Sequence, residues 1–123
     1  MITGVVNNNL EATIQLKVRG ANEQFEEIEA IIDTGFTGFL TLPLTVIEKL
    51  NLTWLCRQHG ILANGEINIF DVYRATLIWD KQPINVEVDS IDSEPLVGMN
   101  LLKGYSLRID ILSGGAVLVE KIV

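Results

Sequence analysis

The sequence has one cysteine, Cys56, and one histidine, His59. A lone thiol excludes an intrachain disulfide, and the two residues together supply too few soft ligands for a zinc centre, so neither a structural metal nor any other cofactor is expected. Positive charge is also scarce. Nine Lys and Arg stand against sixteen Asp and Glu, for a formal charge of −7, with no basic cluster and no interleaving of basic and aromatic residues. A phosphate backbone calls for a positive footprint, which argues against nucleic acid as a partner. Residues 1–9 have neither the basic start nor the long apolar stretch of a secretory signal, and no apolar run is long enough to span a bilayer, so a soluble, cytoplasmic protein without membrane association is expected. Internal repeats and low-complexity linkers are missing too.

What remains is a chain of 123 residues, 48% hydrophobic, enough for one adequate core and hence a single domain over 1–123. Strand patterns dominate. Leu10, Ala12, Ile14, Leu16 and Val18 alternate with polar residues, the period of a strand with one buried face. Asn7-Asn8-Asn9 before it reads as a hairpin turn, because asparagine tolerates left-handed backbone. Pro43 followed by Leu44, Ile47 and Leu50 predicts a short helix ended by Asn51, and Met99 to Lys103 one or two further turns stopped by Gly104. Asn64-Gly65 between apolar segments is a strong hairpin cue, Val72–Trp79 is strand-like, and Asp80–Pro83 reads as a turn. Alternation returns at Ile84, Val86 and Val88, and again at Leu107, Ile109 and Ile111.

Two strings carry chemistry. Ala30-Ile31-Ile32 runs into Asp33-Thr34-Gly35, a strand that delivers a carboxylate into a tight turn, with threonine as a brace and glycine to admit positive φ. Leu96-Val97-Gly98 is a second apolar pair closed by glycine. Taken singly, Asp33 could merely end a strand as an Asx-turn residue, and Leu96-Val97-Gly98 could be any buried strand.

Together with Ala63-Asn64-Gly65-Glu66 between them, these strings resemble the retropepsin-like aspartic peptidases, the one-lobed relatives of pepsin that include retroviral proteases. The resemblance spans most of the chain and implies a mainly β, single-lobe acid-protease fold of closed, barrel-like sheets with one or two short helices. It implies Asp33, Thr34 and Gly35 as the catalytic turn, with Phe36, Ala63, Asn64 and Gly65 against substrate, the last three in a flap. Asp-Thr-Gly-Phe looks like a prokaryotic subgroup of that family. Retropepsins usually have alanine or serine at the position of Phe36, which cannot donate a hydrogen bond to Asp33.

A single carboxyl cannot both deprotonate water and protonate a carbonyl oxygen. Two carboxyls close enough to share one proton can, as in the aspartic-protease dyad used as a standard example of coupled acids. A homodimer related by a two-fold axis would supply the pair, acting on a peptide or protein substrate. The alternative is a non-catalytic dimer of the same fold that binds peptide segments or a partner protein. Cys56 and His59 near Trp54 invite a thiol-nucleophile reading, with packing as the plainer role. Asp71, Asp80, Asp89 and Asp92 are expected at solvated positions, and Arg108 and Asp110 on a solvent or dimer rim.

Overall fold

A computed structural model describes residues 1–61 and 64–123. Among these, ten strands and two short helices occur, the strands being β1 (Ile2–Val6), β2 (Ala12–Arg19), β3 (Phe25–Ile32), β4 (Leu40–Leu42), β5 (Thr53–Ile61), β6 (Ile67–Trp79), β7 (Gln82–Ser90), β8 (Leu96–Val97), β9 (Tyr105–Ile109) and β10 (Ala116–Lys121). The helices are α1 (Leu44–Leu50) and α2 (Met99–Leu102). All strands join one sheet in the order β5-β6-β7-β4-β8-β3-β2-β1-β10-β9. A further antiparallel pairing of β2 with β6, at Lys17↔Ile78 to Arg19↔Thr76, closes the middle of that sheet into a ring. Closure removes sheet edges and encloses the core. No helix among the described residues is long and apolar enough to cross a membrane.

Period-two patterning decides which side chains enter. Ala12, Ile14, Leu16 and Val18 of β2 are buried, as are Ile28, Ala30 and Ile32 of β3, while Glu27 and Glu29 face out. Leu10 does not continue the β2 alternation. It sits in the preceding turn with φ of 60° and is 58% exposed, so the left-handed residue is Leu10 and not an asparagine. Asn7 instead organises the turn through Oδ1, which accepts the Asn9 and Glu11 N–H groups.

Pro43 caps α1 in extended backbone, Ile47 and Leu50 are buried, and left-handed Asn51 ends the helix as expected. The β6–β7 turn is tighter than the sequence suggests. Asp80 and Lys81 both have positive φ, and Gln82 and Pro83 already belong to β7, paired with Trp79 and Ile78. Alternation in β9 stops at Ile109, leaving Ile111 beyond the strand and 67% exposed.

Candidate active site

The site begins with a strand inserted between two others. β8 pairs in parallel with β3, at Ile31↔Leu96 and Ile32↔Val97, and antiparallel with β4, at Leu40↔Val97 and Thr41↔Leu96. Every buried backbone group in such a crossing needs a partner. The Asp33 N–H donates to the Val97 carbonyl at 2.9 Å, continuing the ladder one residue past β3, and the Leu96 N–H donates to Thr41 Oγ1 at 2.9 Å. The two strings singled out in the sequence are thus adjacent strands.

The corner after β3 is held locally and from across the sheet. Asp33 Oδ1 accepts the Gly35 N–H at 2.9 Å, and the Asp33 carbonyl accepts the Phe36 N–H at 3.1 Å. Beyond it, the Gly98 N–H donates to the Phe39 carbonyl, Met99 to Phe36 at 2.8 Å, and Asn100 to Gly38 at 3.1 Å. First-turn N–H groups of a helix have no intrahelical acceptor. Here α2 finds acceptors in the loop that follows the aspartate, which ties the two segments together.

Glycine is required here by crowding. Gly35 does not have the positive φ expected of it; among described glycines that conformation occurs at Gly65, Gly104 and Gly114. A Cβ at Gly35 would instead lie 3.3 Å from Asp33 Oδ1. One at Gly98 would collide with the Gly38 carbonyl and lie 2.7 Å from the Phe36 ring, and one at Gly38 would lie 2.5 Å from Phe36 Cζ. The half-buried Phe36 ring is therefore seated over two glycines and clasps the corner to the start of α2. That packing role replaces the substrate contact expected of Phe36, which does not line the groove beside Asp33.

That groove, about 400 Å³, is lined by Leu10, Ile31, Ile32, Leu96, Ile109 and Ile111, with Asp33, Thr34 and Glu11 as its polar members and Ala12 beside them. Apolar walls with few polar groups are the usual make-up of a ligand cleft. Asp33 is half-buried, and Thr34 and Gly35 are exposed beside it. A larger polar depression of about 480 Å³ shares no residue with the groove; it is lined by Arg19, Arg74, Thr76 and Asn85 among others, and Arg19 pairs with Phe25 at the far end of β3.

Asn64 and Gly65 lie in an exposed turn between β5 and β6, where Ile61 faces Ile67, Gly65 has φ of 85°, and Asn64 Oδ1 accepts the Glu66 N–H. Ala63 lies outside the described residues. The segment with Cys56 and His59 is strand β5, where a spacing of three puts the side chains on opposite faces, so the pair does not converge as a helix would have allowed. Asp71 accepts Trp54 Nε1–H and Arg57 Nε–H, which hold its carboxyl below the usual range. Arg108 and Asp110 pair with each other at 3.5 Å.

Asp89 departs from the solvated role expected of it. It is half-buried, and burial, with Glu87 adding repulsion, pushes its pKa up to about 6. Its position in an alternating strand gave no sign of this, since the covering loop comes from the Asp33 corner.

No protein-family model matches the sequence, and no curated protein matches it. Among solved structures, the chain is similar to a retropepsin-like aspartic protease from Rickettsia conorii, with 20% sequence identity and a TM-score of 0.64, over 99% of this chain and 91% of that one. The fold is therefore retropepsin-like and mainly β, as the motifs implied.

Proposed function

We propose that this chain is an aspartic endopeptidase that works as a homodimer, each subunit supplying one Asp33. The observation that carries the reading is Asp33 itself, held at the lip of an apolar groove by the Val97 carbonyl and the Gly35 N–H, in a fold similar to a retropepsin-like aspartic protease. On this reading, Asp-Thr-Gly-Phe marks the prokaryotic subgroup of those enzymes.

Amide hydrolysis needs a base for water and an acid for the carbonyl oxygen. Asp33 and Asp33 of the partner subunit hold one proton between them. The ionised carboxylate takes a proton from water as it attacks, the neutral one donates to the carbonyl oxygen, and a tetrahedral diol forms without a covalent enzyme intermediate. Collapse of the diol returns a proton to the leaving amine. The pair titrates as a unit, so cleavage follows a bell-shaped pH profile whose two limbs belong to the dyad.

The exposed Thr34 hydroxyl is placed to bond across the two-fold axis. An extended peptide lies over both grooves, its main chain giving affinity and its side chains selectivity, with the Asn64–Gly65 hairpins closing over it. The alternative of a dimer that binds without cutting drew on Phe36, whose ring has a structural place in the clasp, and no specific observation favours it.

Incubation with a diverse peptide mixture from acid to neutral pH tests the reading. Wild-type protein is expected to release new termini, and Asp33→Asn to lose at least about 10³-fold in rate while still dimerising. Retained cleavage in that variant, or a wild-type chain that sediments only as monomer with and without a statine-like transition-state mimic, overturns it.

A further inference from the structure

The paired strands put two rows of side chains on opposite faces of the sheet. Directly paired residues share a face. Ile32, Val97, Leu40 and Val88 form one row, and all four are buried in the core. Ile31, Leu96, Thr41 and Asp89 form the other, and its first two members line the Asp33 groove. At about 4.8 Å per strand, Asp89 lies about 10 Å from Leu96, which an extended peptide covers in about three residues.

The loop after Asp33 folds over this second row but leaves Asp89 open. A Cβ on Gly38 would lie 3.5 Å from Asp89 Oδ2 and 2.5 Å from Phe36 Cζ, so carboxylate and ring edge flank one point that glycine keeps vacant. A carboxylate beside an aromatic ring is the usual surrounding of a bound organic cation. Asp89 is half-buried, yet none of the salt bridges among the described residues includes it. Its charged neighbours are Glu87 on its own strand and Arg74, which pairs with Glu87 from β6; Thr41 on β4 and Val72 on β6 face it without charge. A partly desolvated carboxylate without a cation is costly until a cation arrives.

We propose that Asp89 is the wall of a binding subsite for a cationic side chain, lysine or arginine, of an extended peptide lying in the Asp33 groove. This rests on the peptidase reading for the course of the peptide but not for its cleavage. Because the Asp89 pKa is about 6, the preference is expected to be full at pH 7.5 and to fade below about 6, where the carboxyl is neutral while lysine stays charged.

The test uses reduced-amide peptides, which cannot be hydrolysed, with lysine or norleucine placed in turn at each position flanking the reduced bond. Binding to wild-type protein and to Asp89→Asn is read by fluorescence anisotropy, with thermal unfolding as a check on the variant. The expected result is one position at which lysine binds about tenfold more tightly at pH 7.5, a ratio that falls to about one in Asp89→Asn and in wild-type protein at pH 5. No position favouring lysine, a preference that survives in Asp89→Asn or at pH 5, or no peptide binding overturns the proposal. Cleavage of the matching amide peptides is read alongside: preference without cleavage sinks the peptidase reading alone, and cleavage without preference sinks the subsite alone.

Discussion

The corner after β3 and the tip of the β5–β6 hairpin both turn sharply on a glycine beside a polar residue, yet they are held in different ways. At the corner, Asp33, Phe36 and Gly38 exchange hydrogen bonds with Val97, Met99 and Asn100, and the Phe36 ring packs on Gly38 and Gly98. At the tip, Asn64 bonds to Glu66, and the flanking Ile61 and Ile67 are 81% and 68% exposed. One turn is positioned by a segment distant in sequence, the other by its own neighbours. Local stability follows such support, so the corner suits a group that must stay in place and the tip suits a part that opens and closes.

Gly98→Ala is the strongest way to break the contrast. Its Cβ meets backbone at Gly38, which cannot swing aside, so a loss of about 3 kcal/mol in urea unfolding is expected, with peptide cleavage falling alongside. Phe36→Ala removes the clasp but leaves the hydrogen bonds. A loss of about 2 kcal/mol is expected for a half-buried ring, and the Met99 amide should exchange faster with solvent deuterium than in the wild type. Gly65→Ala, by contrast, meets open space and only the strain of φ at 85°, so about 1 kcal/mol is lost and amides near Asp33 keep their protection.

The smallest effect depends on pH and lies on the corner side alone. Asp89 has a folded pKa of about 6 against an ordinary 3.8, so the native state holds its proton more tightly than the unfolded one. Stability is full below 3.8 and is lost as pH rises through about 6. Asp89→Asn is therefore expected to raise stability at pH 7.5 by about 1 kcal/mol, allowing for the half-exposure of the carboxyl, and to leave it unchanged at pH 3.5. Thermal unfolding of both proteins at the two pH values measures the difference.

Much of this was legible in the sequence because it is periodic or local. Alternation marked β2, the inward face of β3 and most of β7, Asn51 stopped α1, and Asn64-Gly65 marked a hairpin. Thr53–Ile61 was not legible as a strand. Its side chains are mostly exposed, so no apolar face repeats along it. Phe36 was legible as an oddity beside Asp33, while its purpose depends on two glycines, one of them far along the chain. Asp89 was hidden for a related reason: strand alternation predicts a face, and here a loop from elsewhere covers that face.

By itself, the order of residues determined a mainly β chain with one carboxylate at the end of a buried strand and one apolar pair closed by glycine, because hydrophobic period and turn chemistry act between near neighbours. Only the tertiary structure decided that β8 slots between β3 and β4, that Phe36 braces the corner, and that Asp89 lies half-covered beside it. Those outcomes depend on close approach between segments far apart in the chain, where packing permits few solutions and local preference specifies none.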